Sequence, residues 1–314
     1  MLSMEMLQDA QRVLDPVINH TPVVSTKDIV PDCDFYLKAD CLQKTGAFKL
    51  RGAYYKIATL SDEEKARGVI ACSAGNHAQG VAFAARDMGI PATICIPEGA
   101  PLSKIEATRS YGARVVLVPG VYDDAYMEAV RLRDEERLTF IHPFNDYRVM
   151  AGQGTIGLEM YEQLPDCDIF LVPIGGGGLI TGISYAMKHL KPGVRIVGVM
   201  PEGSAVYAAS RAAGKLVTLD SCTSIADAVV RKTGEPYLYP YIEEYVDDIV
   251  TVSEDELRKA IKLACLYAKL TLEGAASLAL AAVTSDKCTL TEHTVLLCTG
   301  GNIDGSVLLS CLQG

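Results

Sequence analysis

Ile169-Phe170-Leu171-Val172-Pro173-Ile174, then Gly175-Gly176-Gly177-Gly178, then Leu179-Ile180-Thr181-Gly182-Ile183-Ser184-Tyr185-Ala186-Met187 is the stretch whose reading decides the fold. The first six residues are an apolar run of strand length and the last nine read as a buried helix, with glycines alone between them. Amides without Cβ atoms approach an anion closely, and the helix that follows adds its positive dipole end. The junction therefore reads as a phosphate cup. A plain tight turn is the alternative, although it rarely needs four glycines in a row. Nucleotide motifs fit poorly. No Gly-Lys-Ser/Thr follows, and Ile180 and Thr181 stand where the third glycine of Gly-x-Gly-x-x-Gly belongs.

Upstream, Gly68-Val69-Ile70-Ala71-Cys72, a helical 76–88 closed by Gly89, and Ala92-Thr93-Ile94-Cys95-Ile96 make a βαβ unit. Arg114 to Val118 and Leu138 to Ile141 continue the alternation. A second series has strands at 169–174, 195–200 and 294–298 with helices between them, one of which starts at the capping box Ser253-Glu254-Asp255-Glu256. The pattern predicts an α/β protein of two open-sheet lobes. A small α/β domain at 68–145 is set within a large domain made of 1–67 and 146–314, with the chain crossing back near Pro143. A ligand belongs in the cleft between them.

Lys49 supplies the second half of the site. It lies among Thr45-Gly46-Ala47-Phe48 and Leu50-Arg51-Gly52-Ala53. Burial disfavours the ammonium and leaves an amine able to hold an aldehyde through a Schiff base. A solvated basic helix start, with Lys44 and Arg51 nearby, is the plainer reading of Lys49 alone. A phosphate cup and a nucleophilic lysine together point to pyridoxal phosphate.

Composition excludes other classes. The 314 residues carry 29 Lys and Arg against 39 Asp and Glu, a net charge of −10, with no long basic run. Nucleic acid and anionic membranes are poor partners for such a chain. No apolar stretch is long enough to span a membrane, and the N-terminus lacks a signal or transit pattern. The ten cysteines show no Cys-x-x-Cys and several lie in apolar runs, as reduced thiols of a cytoplasmic protein do. The histidines have no metal-ligand spacing, so no metal is expected.

Six ordered motifs span nearly the whole chain: KTGAFKLRGA around Lys49, CSAGNHAQG from Cys72, HPFND followed by AGQGTIGLE, VPIGGGGL, VDDIVTVSEDE, and CTGGNID from Cys298. With these motifs the chain resembles the fold-type II pyridoxal-phosphate enzymes (tryptophan synthase β-like), and within them the threonine/serine dehydratases and serine racemases. The resemblance implies that Lys49 is the Schiff-base lysine and takes the α-proton, while Phe48 packs beside the cofactor ring. Asn76 is implied to bond the ring's 3′ oxygen, Gly175, Gly176, Gly177 and Gly178 to hold the phosphate, and Thr299 to face the pyridine nitrogen. Ser73, Ala74, Gly75, Asn76 and His77 are implied to clamp the substrate carboxylate. For His77 a satisfied histidine at a helix start is an equal alternative.

A hydroxyl at Thr299 makes the ring a weaker electron sink than a carboxylate partner would, which favours expulsion of a β-hydroxyl. The resemblance therefore implies a homodimeric or homotetrameric L-threonine/L-serine dehydratase that releases a 2-oxo acid and ammonia. A racemase needs a second acid/base where this chain has Ala74, so racemisation is the alternative, as is a dehydratase of 3-hydroxyaspartate or phenylserine. Three departures from the family stand out. Met200 and Val206 occupy positions aligned with a cation site of relatives, Ala228 replaces the glycine of Ala-Asp-Gly, and Gly314 follows directly on the expected core. From the last of these, no isoleucine-sensing domain is expected.

Overall fold

A computed structural model of the chain describes residues 1–26, 29 and 34–314. The chain opens on α1 (Met4–Leu14), whose first turn is capped by the Ser3 hydroxyl. The short pair β1 (Val23–Ser25) and β2 (Tyr36–Lys38) follows, then α2 (Lys49–Ala58) and α3 (Asp62–Arg67). Next come β3 (Val69–Cys72), α4 (Asn76–Asp87), β4 (Ala92–Pro97), α5 (Leu102–Ser110), β5 (Arg114–Val118), α6 (Tyr122–Glu136) and β6 (Thr139–Phe140). α7 (Tyr147–Gln163) leads to β7 (Ile169–Pro173), α8 (Gly178–Leu190), β8 (Arg195–Pro201) and α9 (Val206–Ala213). The chain continues through α10 (Tyr239–Tyr245), β9 (Asp248–Val252), α11 (Glu254–Leu263), α12 (Gly274–Thr284), β10 (Thr294–Leu297) and α13 (Gly305–Gln313).

The strands form two sheets, in the orders β1-β2-β10-β7-β8-β9 and β5-β4-β3-β6. Every neighbouring pair is parallel except β1 with β2. Parallel strands are covered by helices on both faces, which is why β3, β7 and β10 are nearly unbroken apolar runs and buried throughout. These are the strands the sequence announces. β1 and β2 have three residues each and β9 is half-buried along most of its length, so none presents such a run. The capping box before α11 forms as expected, with Ser253 on the Glu256 N–H and Glu256 on the Ser253 N–H.

α2 is held against α7 in two ways. A Cβ on Gly152 would stand 2.6 Å from the Gly52 Cα, so the two backbones touch where their glycines meet. Beside this contact Arg51 is wholly buried, donating from Nε and Nη2 to both Asp40 oxygens at 2.8 and 2.9 Å. Its Nη1 and Nη2 donate to the Glu159 oxygens at 2.5 and 3.0 Å. Lys38 Nζ completes the cluster with Glu159 Oε2 at 2.7 Å, Gln163 Oε1 at 2.9 Å and the Thr21 carbonyl at 2.7 Å. Two cations face two carboxylates in one saturated set, which fixes the helix on which Lys49 is the first residue.

Cys41, Cys72, Cys95, Cys167 and Cys298 are buried thiols, whereas the reading of Cys33 falls outside the described residues. No described helix is long and apolar enough to cross a membrane.

Candidate active site

The carboxyl ends of β3 and β7 open into one cleft of about 1050 Å³ between the two sheets. Short loops lead from these ends to α4 and α8, so both helix N-termini point their unpartnered N–H groups toward the same space. Phe48, Lys49, Ser73 to His77, Gly175 to Gly178 and Thr299 all line it. Residues more than 200 positions apart in sequence thus share one wall.

Among the described residues Lys49 Nζ makes a single hydrogen bond, to the Pro143 carbonyl at 2.8 Å. Burial is the main cause that lowers its pKa to about 8; the positive charge of Arg231 adds to this and Glu273 opposes it. The His142-Pro143-Phe144-Asn145-Asp146 segment is built to present that carbonyl. The His142 Nδ1 accepts the Phe144 and Asn145 N–H groups at 3.3 and 2.8 Å, which turns the loop. Asp146 then caps α7 through its Oδ1 on the Arg148 and Val149 N–H groups.

Phe144 also explains the glycines. A Cβ on Gly176 would lie 2.5 Å from its ring and one on Gly178 2.6 Å from its carbonyl oxygen, while Gly175 backs onto Val229. Gly177 has φ +96, which side chains rarely adopt, and caps α8. All four glycines are therefore required by the protein packed against them, and all four line the cleft.

Across the cleft, Asn76 is the first residue of α4. Its Nδ2 donates to Glu273 Oε1 at 2.6 Å and its Oδ1 accepts from Asn302 Nδ2 at 2.8 Å, leaving one side-chain N–H for a ligand. Ser73 Oγ accepts the Gly75 N–H at 3.2 Å and shapes the loop, and Ala74 brings no polar side chain to it. His77 shares features of both readings. One ring nitrogen, Nε2, bonds the Ile141 carbonyl at 2.8 Å and so carries the proton, while buried Nδ1 has no partner among the described residues. Burial and Lys49 lower its pKa to about 3, so the ring is neutral and Nδ1 is an acceptor. Thr299 is buried, and its carbonyl receives the Phe48 N–H at 3.0 Å, which ties it to the turn before Lys49.

Three residues of the cleft carry no motif that sequence reasoning could use. Glu273 is buried, and desolvation with the negative charge of Asp227 raises its pKa to about 7. Arg231 lies with its guanidinium 4.7 Å from the Phe144 ring centroid. Lys104, on α5, reaches Asp227 at 2.5 Å and bridges the two sides of the mouth. Single charged residues in TLEGA or VVRKTG have no spacing signature, and only the sheet order brings them to the site. Among the described residues no three His, Cys, Asp or Glu side chains are grouped to hold a metal ion.

The family described as "pyridoxal-phosphate dependent enzyme" matches residues 14–300. The chain is 44% identical to an L-threonine ammonia-lyase of Thermotoga maritima over 310 residues, covering 98% of this chain and 77% of that one. It is 43% identical to the catabolic L-threonine dehydratase of Escherichia coli K12 over 274 residues, with coverage of 86% and 83%. The structure of maize serine racemase superposes with a TM-score of 0.93 at 35% identity, covering 99% of this chain and 97% of that one.

Proposed function

The chain belongs to the pyridoxal-phosphate-dependent enzymes, and from that premise we propose that it is an L-threonine/L-serine dehydratase (ammonia-lyase) that converts a β-hydroxy amino acid to a 2-oxo acid and ammonia. The observation that carries the reading is Lys49: an amine with a depressed pKa, bonded only to a carbonyl and facing a glycine loop at a helix N-terminus.

The donor set fits the cofactor. Lys49 would hold the aldehyde carbon, the N–H groups of Gly175 to Gly178 the phosphate, Phe48 the ring, the spare Asn76 N–H the ring oxygen, and Thr299 the ring nitrogen. When bound, pyridoxal phosphate supplies an electron sink conjugated to the substrate's α-carbon.

The side chains supply the rest. With a pKa of about 8, about one Lys49 amine in ten is unprotonated at pH 7, against about one in three thousand for an ordinary lysine. Nζ can therefore take the proton from the substrate Cα. The Ser73 to His77 loop binds the substrate carboxylate at the start of α4, through backbone donors and the Ser73 hydroxyl. Neutral His77 adds an acceptor there, not a donor. Ala74 brings no side-chain acid to the face opposite Lys49, which favours elimination over racemisation.

The reading extends to the whole molecule. Residues 68–145 act as a small α/β domain and 1–67 with 146–314 as the large pyridoxal-phosphate-binding domain. The four-stranded sheet lies wholly within 69–140, which supports this division. The protein is cytoplasmic, acts on a free amino acid, and assembles as a homodimer or homotetramer.

Protein reconstituted with pyridoxal phosphate should release 2-oxobutyrate from L-threonine and pyruvate from L-serine, followed by coupled reduction of the oxo acid. A protein that takes up the cofactor yet releases no oxo acid from either would overturn the assignment.

A further inference from the structure

The carboxamide of Asn76 is turned by its neighbours, beginning from a backbone carbonyl. A carbonyl only accepts, so the Thr45 carbonyl, 2.9 Å from Asn302 Nδ2, fixes which way round the Asn302 amide lies. Both Asn302 hydrogens are then used, the second on Asn76 Oδ1 at 2.8 Å. Asn76 must therefore present its nitrogen on the other side, where Nδ2 donates to Glu273 Oε1 at 2.6 Å. Reversing either amide would set oxygen against oxygen. One carbonyl thus orients two side chains, and among the described residues the second Asn76 hydrogen has no partner.

The backbone around this relay is shaped to admit it. A Cβ on Gly46 would stand 2.6 Å from Asn302 Oδ1, and its φ of +71 is one that side chains rarely adopt. A Cβ on Gly300 would stand 2.5 Å from Glu273 Oε1. The same segments are laced together, with the Gly301 N–H on the Gly46 carbonyl at 2.9 Å and the Glu273 N–H on the Gly300 carbonyl at 3.1 Å. Asn76 and Glu273 are buried, and both line the cleft.

We propose that Asn302 and Glu273 are positioning residues that keep Asn76 a hydrogen-bond donor toward the cofactor's ring oxygen and so hold that oxygen as an anion. The inference rests on the pyridoxal-phosphate reading of the cleft. A donor stabilises the ionised form of a phenol and an acceptor disfavours it, so the orientation of one amide sets the charge of the ring. Asn302 keeps that orientation at any pH, because an amide does not titrate. Glu273 keeps it only while ionised. A carboxylate accepts and nothing else, whereas its protonated form can donate to Asn76 Oδ1 and tolerates the reversed amide. Burial and then the charge of Asp227 raise the Glu273 pKa to about 7, against the pull of the Asn76 bond, Lys104 and Lys49. The Cys41 thiol also lies within its field.

The absorbance of bound pyridoxal phosphate reports the charge of its ring oxygen through the ratio of its long- and short-wavelength bands, and equilibrium dialysis of the holoenzyme gives its affinity. Asn302→Asp is isosteric and cannot donate to Asn76, so it should reverse the amide and shift absorbance to the short-wavelength band. Cofactor affinity should fall roughly tenfold or more, as loss of a hydrogen bond to a charged group implies. Asn302→Ala leaves the orientation to Glu273 alone. Its long-wavelength band should fade as pH falls through about 7, while the wild type keeps its band, and adding Glu273→Leu should abolish that dependence. Wild-type spectra and affinity in both Asn302 variants overturn the proposal. So does a lowered urea midpoint with an unchanged spectrum, which would make Asn302 structural only. A relay that behaves as expected in a protein releasing no oxo acid sinks the dehydratase reading alone. A wild-type protein that takes up no pyridoxal phosphate overturns both.

Discussion

Two lysines of this molecule leave water, and they do so in opposite company. Lys38 ends β2 inside the network with Glu159, Gln163 and the Thr21 carbonyl, its three donors all used. Lys49 begins α2 and, among the described residues, bonds the Pro143 carbonyl alone. Burial lowers the pKa of both, but Glu159 and Asp40 pull Lys38 back up, whereas Arg231 pushes Lys49 further down. A buried cation with matched carboxylates is architecture. One without them is a reagent, and the fold sets the two within a few residues by way of Arg51.

That contrast can be broken from either side. The largest effect belongs to Lys49→Ala, which should lower oxo acid release by roughly 10⁴-fold or more, since one amine both carries the cofactor and moves the proton. Its urea midpoint should stay close to wild type, because no carboxylate is orphaned; a strongly destabilised Lys49→Ala protein would mean that the amine is structural after all.

Arg51→Met should do the reverse. Removing the guanidinium leaves Asp40 with the Thr21 hydroxyl and no hydrogen-bonded cation, and Glu159 with Lys38 alone, in the interior where losing one partner of a buried pair costs about 3–5 kcal/mol. Urea denaturation reads this directly, and a loss below about 1 kcal/mol would show that the network is not the clamp on α2 described above.

The smallest effect is a slope. The folded pKa of Glu273, about 7, stands above the ordinary carboxylate value of 4.5, so the folded state binds more protons than the unfolded one between those limits. Stability from this group is therefore full below pH 4.5 and declines as pH rises toward 7, by up to about 3 kcal/mol at 1.36 per unit. Lys49 has the opposite sign. Its folded pKa of about 8 is below the ordinary 10.5, so its contribution grows as pH rises from 8 to 10.5. Glu273→Gln should flatten the acid-side slope and leave the alkaline one, as followed by denaturation midpoints across pH. An unchanged slope below pH 7 would remove Glu273 from the account.

Legibility in the sequence followed the same division. Lys49, Asn76 and the four glycines sit in runs of unusual composition, and β3, β7 and β10 announce themselves as unbroken apolar stretches because parallel strands are covered twice. The Arg51 network was invisible, since Lys38, Asp40, Arg51 and Glu159 look like ordinary surface charges until three elements converge on them. Glu273 and Arg231 were equally silent, and Asn302 stood within CTGGNID without a role. The reason for the glycines was read only in part: the sequence argues for close approach of a ligand, and the structure adds Phe144, Val229 and Tyr207 pressing against them.

β10 is the last strand among the described residues, yet it lies in the interior of its sheet, paired to β2 on one side and β7 on the other. A nascent chain on the ribosome therefore carries two open strand edges until residue 297 has been made, and Asn302 must still arrive to engage Asn76 and the Thr45 carbonyl. The order of synthesis and the order of assembly differ. The smaller sheet, built from consecutive residues, can form while translation continues, but the cleft is completed only once residue 302 has emerged, so cofactor capture waits for that residue and shorter chains are sticky rather than partly active.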